Sequence, residues 1–111
     1  VTVGIEGSFY SPPTISAGLN DTVVFVFGGD VHTVTQSTFA SPCVQLAGGF
    51  NSGFAGRGPN FSNPITTWTL RITNVSEPIW YFCQASMPTS HCESGMVGCV
   101  VSVLLSPPAL R

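Results

Sequence analysis

Apolar and polar residues alternate along much of this chain with a period of two, the spacing of β-strands. Positions 66–73 are the clearest case. Trp68, Leu70 and Ile72 fall on one side, and Thr67, Thr69, Arg71 and Thr73 on the other, as in a half-buried strand. Over positions 21–27, Val23, Phe25 and Phe27 share one face and Val24 and Val26 the other. With both faces apolar, this segment is expected to be a central strand. Further strands are expected over 1–5, 9–10, 14–16, 31–36, 79–83 and 97–105. Ser11-Pro12-Pro13, Gly28-Gly29-Asp30 and Asn74-Val75-Ser76-Glu77-Pro78 separate them. Apolar residues at helical spacing are missing. Many short strands with frequent turns predict an all-β fold, an antiparallel Greek-key sandwich, with Trp68 and Trp80 in its core.

Positions 37–64 break the pattern. Gly48, Gly49, Gly53, Gly56 and Gly58 alternate with Phe39, Phe50, Phe54 and Phe61. Glycines let the chain turn tightly, and aromatic rings can pin it to the body, so this is expected to be a long packed loop.

The chain has 111 residues, which makes one domain, expected over 1–106 with 107–111 as a C-terminal tail or the start of a linker. Hydrophobic residues make up 43%, enough for a core, and charged residues only 7%. The basic residues are Arg57, Arg71 and Arg111, with no lysine. No basic patch can be assembled, which argues against nucleic acid as a partner and against a polybasic membrane anchor. The apolar run 97–105 is far below the roughly 20 residues that span a bilayer, so no membrane insertion is expected. The start at Val1-Thr2-Val3 is already strand-like, so a signal peptide is expected to have been removed. Asn20, Asn60 and Asn74 each open an N-glycosylation acceptor triplet. Three such triplets in a lysine-free chain favour a secreted glycoprotein, hydrated by glycans rather than charges.

The chemistry concentrates in a few soft donors. Four cysteines, Cys43, Cys83, Cys92 and Cys99, allow two disulfides in three connectivities. They also allow another reading. His32, Cys83, His91 and Met96 supply two imidazoles, a thiolate and a thioether, the donors of a blue-copper electron-transfer site. Zinc is the rival for the Cys and His donors, and the methionine favours copper. Cys83, His91 and Met96 lie in one stretch, so a single loop can deliver three donors to one point, with His32 arriving from a distant strand. Other chemistry is not evident. Glu6, Asp21, Asp30, Glu77 and Glu93 form no glycosidase-like pair, and no Gly-x-Ser-x-Gly elbow occurs. The glycine-rich run 53–58 lacks the strand-to-helix context of a phosphate cradle. The chain is not expected to be an enzyme.

The stretches His32-Thr33-Val34-Thr35-Gln36, Ser41-Pro42-Cys43, Pro78-Ile79-Trp80-Tyr81-Phe82-Cys83 and His91-Cys92-Glu93-Ser94-Gly95-Met96-Val97 resemble the cupredoxins. The likeness is greatest to the plant phytocyanins and the fungal extracellular cupredoxin-like proteins, and Val3-Gly4 with Phe9-Tyr10-Ser11-Pro12 resembles the fungal branch. The resemblance covers nearly the whole chain and implies a cupredoxin-like sandwich with type 1 copper at one end. By position, His32, Cys83 and His91 would be equatorial ligands and Met96 axial. It also implies a Cys43–Cys92 disulfide beside the site. Two features depart from the pattern. Seven residues separate Cys83 from His91, a longer stretch than plant phytocyanins carry, and it contains Met87, a competing sulfur. Cys99 has no counterpart. It alternates with Val97, Val101 and Val103 and is read as a small buried hydrophobe. Thr33 is placed to bond across to the Cys83 loop and steady the thiolate.

Two functions are therefore expected in contention. One is a secreted copper protein that relays single electrons to a redox partner or handles copper outside the cell, with His91 as the electron port. The other is a metal-free interaction protein on the same scaffold, binding a cell-surface glycan or receptor.

Overall fold

The computed structural model describes residues 1–5, 7–58 and 60–102. The expected last stretch of strand, 103–105, the tail 107–111 and Glu6 lie outside these. The strands are β1 (Thr2–Val3), β2 (Tyr10–Ser11), β3 (Thr14–Ala17), β4 (Thr22–Phe27), β5 (Thr35–Ser37), β6 (Thr66–Arg71), β7 (Ile79–Phe82) and β8 (Val97–Ser102). They form two four-stranded sheets, ordered β2-β1-β4-β6 and β3-β8-β7-β5.

The period-two pattern decides which side chains meet between the sheets. In β4, Val23, Phe25 and Phe27 are buried, while Val24 on the opposite face is 43% exposed. The strand is central, flanked by β1 and β6. Its second face is nonetheless open to solvent, because this sheet is covered on one side only. Val3, Tyr10 and Ile72 from the first sheet's side meet Tyr81 and Val100 from the second to form the core, and Trp68 packs against its margin. Within it, Phe25 and Tyr10 both meet Tyr81 edge-on, with ring centres 5.3 and 4.9 Å apart.

The expected all-β sandwich is present, but it is not antiparallel throughout. β1 runs parallel to β4, and β3 runs parallel to β8. Parallel pairing needs a long crossover. The chain supplies one by sending β3 into the second sheet before β4 returns to the first. The strand expected over 31–36 is reduced to β5. Before it, His32 and Val34 bond instead to the glycine-rich loop, through the bridge His32 to Ala55 and the Ser52 N–H to the Val34 carbonyl, and Thr35 at its start also bridges to Asn51. The loop is thus a packed flap edging the sheet. Trp80 is not core. Pleating turns it to the outer face of β7, where it is half-buried against Phe39, with ring centres 5.2 Å apart.

One consequence concerns the aromatic centre. Phe25→Ala should lower the unfolding free energy by about 3–5 kcal/mol, read as a reduced urea midpoint with an unchanged slope. A cost below about 1 kcal/mol would mean that Phe25 does not carry the core.

Candidate metal centre

Three chain turns converge at one end of the sandwich. His32 follows β4 and a glycine turn, Cys83 directly follows β7, and Met96 directly precedes β8. His91 comes from the loop between the last two. His32, Cys83 and His91 are all buried, and their donor atoms face one another. The two Nδ1 atoms lie 3.1 Å apart, and Cys83 Sγ lies 3.6 Å from His32 Nδ1 and 3.8 Å from His91 Nδ1. The point equidistant from all three is about 2.0 Å from each, within metal–nitrogen range and slightly short of the metal–thiolate range of about 2.3 Å. The donors fit a trigonal metal site.

The ring orientations are fixed by neighbours. His91 Nε2 lies 2.8 Å from the Met87 carbonyl, which can only accept, so Nε2 carries the hydrogen and the neutral ring turns a bare Nδ1 inward. The short Nδ1–Nδ1 contact is one that a proton or a metal ion must bridge. Cys83 Sγ receives two N–H groups, from Thr33 and Ala85, each at 3.4 Å. The expected Thr33 link is present twice over, since its hydroxyl also accepts the Gln84 N–H at 2.9 Å.

The long loop does not displace His91. The His91 N–H bonds the Ala85 carbonyl at 3.0 Å, so the residues between them bulge outward, and Met96 N–H to the His91 carbonyl closes the other side. Met87 is 80% exposed, so its carbonyl serves the site while its side chain faces solvent. Met96 is fully buried in the core beside Cys83, and its carbonyl accepts the Cys83 N–H. Cys43 and Cys92 form a disulfide that fastens the glycine-rich loop to the ligand loop. Cys83 and Cys99 are free and buried. Cys99 pairs with Trp80 in the β7–β8 register and so shares its outer face, whereas Cys83 faces the core. Asn20, Asn60 and Asn74 are all exposed.

Two contributors were not evident from sequence. Ala85 acts through its backbone, which no side chain signals. Gln84 is a hub: its Oε1 accepts from Thr35 Oγ1 at 3.2 Å and Asn51 Nδ2 at 2.9 Å, and its Nε2 donates to Gln45 at 3.3 Å. This network ties the glycine-rich loop to the residue after Cys83.

Burial governs the charge states. It lowers the His32 pKa, reinforced by His91 and opposed by Asp30. It raises that of the Cys83 thiol, opposed by the N–H groups of Thr33 and Ala85. Without metal, burial therefore favours the neutral forms of His32 and Cys83, and metal binding must release the thiol proton.

The surface above the site is a depression of about 320 Å³ lined by Val31, Phe54, Ala85, Met87 and His91, with Asp30 and Ser86. Its apolar rim, Val31, Phe54 and Met87, is exposed.

No family model matches the chain. Two curated fungal proteins from Arthroderma benhamiae are similar to it. One, named "Probable GPI-anchored cupredoxin-1", is 31% identical over 103 residues, covering 93% of this chain and 47% of that protein. The other, named "Extracellular serine-rich protein", is 31% identical over 102 residues, covering 86% of this chain and 36% of that protein. The chain thus spans half or less of the relatives it matches.

A pH dependence follows from His32. Its folded pKa lies below the ordinary 6.5, so in the window beneath 6.5 the unfolded chain binds more protons than the folded one. This contribution to stability is complete above pH 6.5 and is lost on acidification. The thermal midpoint of the metal-free protein should fall between pH 7.5 and pH 5, about the ordinary histidine range. His32→Gln should flatten that fall, and an equally steep fall in the variant would remove His32 as its cause.

Proposed function

This chain belongs to the cupredoxin family, and on that premise we propose that it binds one copper ion of type 1 and relays single electrons outside the cell. The observation that carries this reading is the triangle of His32 Nδ1, His91 Nδ1 and Cys83 Sγ, whose centre is at metal–nitrogen distance from both imidazoles and slightly short of metal–thiolate distance from the sulfur. Copper, when bound, would supply a one-electron couple at this point.

The residues would divide the work by chemistry. Cys83 contributes a soft thiolate and the histidines nitrogen donors that suit both oxidation states, with Met96 as the weak fourth donor. The Thr33 and Ala85 N–H groups share the sulfur's negative charge and hold it in place. Every donor is carried by a strand end or by a loop clamped by backbone hydrogen bonds. Such a frame changes little between oxidation states, which keeps the reorganisation on electron transfer small. The mixture of thiolate and thioether favours copper over zinc, whose structural sites use thiolate, imidazole and carboxylate.

The depression over His91 is the proposed electron port. Its floor includes a ligand ring, and its apolar rim of Val31, Phe54 and Met87 fits a redox partner docking without strong charge complementarity. The near absence of charge across the chain agrees with this. An extracellular or surface location is supported by the names of the two relatives and by the disulfide, which suits an oxidising compartment. The alternative, a metal-free binding protein for a surface glycan or receptor, draws on the exposed Phe39, Phe54 and Phe61.

Adding Cu(II) to the purified protein separates the two. An intense visible absorption with a narrow hyperfine splitting in the electron paramagnetic resonance spectrum supports the copper reading. Its absence leaves the metal-free one. Cys83→Ser should abolish the absorption while far-ultraviolet circular dichroism stays unchanged, and a variant that kept its colour would sink the assignment of the thiolate.

A further inference from the structure

Two contacts reach the metal centre from behind, and both come from the N-terminal hairpin. The first is at Gly4, immediately after β1. Its φ is +72°, a left-handed conformation that glycine adopts readily. A Cβ placed there would collide with Cδ2 and Nε2 of His32. The backbone of Gly4 thus lies flat against the edge of the imidazole remote from Nδ1. The Gly29 position, in the turn that leads to His32, is in turn packed on the Gly4 carbonyl.

The second contact is at Tyr10 in β2. Its side chain is buried, and its hydroxyl donates to the Thr33 carbonyl at 2.6 Å. The polar groups of Thr33 are then all committed. The carbonyl takes Tyr10, the N–H goes to Cys83 Sγ at 3.4 Å, and the hydroxyl contacts Thr35 Oγ1 at 2.9 Å and accepts the Gln84 N–H at 2.9 Å. Tyr10 also stacks edge-on against Tyr81, which lies two residues before Cys83 and belongs to the same core cluster.

We propose that the hairpin β1–β2, which carries none of the four candidate donors, is a positioning part of the metal centre: Gly4 fixes the ring of His32, and Tyr10 fixes Thr33 and through it the thiolate of Cys83. The inference rests on the copper reading above for its functional meaning and on the contacts alone for its structural meaning. Gly4 allows the imidazole no retreat, so Nδ1 stays at the shared point. Tyr10 holds the residue whose N–H tunes the sulfur. Both act on adjacent residues, 32 and 33, in the connection between β4 and β5.

The core provides a matched control. The Tyr81 hydroxyl is equally buried, and among the described residues it has no hydrogen-bond partner. Tyr10→Phe and Tyr81→Phe therefore each delete one buried hydroxyl next to the same ring pair, and only the first touches Thr33. In copper-loaded protein, Tyr10→Phe should shift the thiolate-to-copper absorption maximum and the reduction potential and speed copper release by about tenfold, the loss of one buried hydrogen bond. Tyr81→Phe should change none of these. In metal-free protein, amide hydrogen exchange at Thr33 and Gln84 should be about tenfold faster in Tyr10→Phe and unchanged in Tyr81→Phe. Gly4→Ala should weaken the colour more than either. Equal effects of the two tyrosine variants, or no effect of Tyr10→Phe on exchange, would overturn the proposal. A wild-type protein that takes no copper colour would instead overturn the copper reading, and the exchange measurements would still decide whether the hairpin holds Thr33.

Discussion

The site depends on keeping a sulfur buried between two imidazoles without leaving any of them to move. Burial alone would scatter these groups, because each prefers water when charged. The N–H of Thr33 prevents this: it holds the Cys83 sulfur and belongs to the residue after His32. One hydrogen bond thus ties the sulfur of Cys83, which follows β7 of the second sheet, to the segment carrying His32, which follows β4 of the first. The sandwich behind it is rigid because Phe25, Tyr10 and Tyr81 interlock edge to face. The centre is therefore an extension of the core rather than an ornament on its loops.

Much of this was legible in the residues. Alternation located β4 and β6 closely, because β4 buries Val23, Phe25 and Phe27 on one face, β6 half-buries Trp68 and Leu70 on one of its own, and the two pair in regular register over their full length. Donor chemistry singled out His32, Cys83, His91 and Met96, and the first three donor atoms do converge. The resemblance supplied the Cys43–Cys92 bond, which spacing alone left among three possibilities.

What was not legible has physical reasons. The parallel pairs depend on which sheet each strand joins, and strand composition does not encode partners. Trp80 was expected inside because it is large and apolar, but pleating sends it outward with Cys99. The short β5 reflects competition, since the glycine-rich loop took the hydrogen bonds that a longer strand would have used. The support from Ala85 and Gly4 is a backbone effect and a lack of side chain, neither of which a pattern of residue types can announce.

The bond between the His91 N–H and the Ala85 carbonyl has a wider consequence. It short-circuits the excursion of residues 86–90, so the span that fixes the imidazole is the same whether that excursion is long or short. Insertions there lengthen a finger without stretching the hand. The outline of the depression over His91 and the spacing of the three donors thereby become separately adjustable.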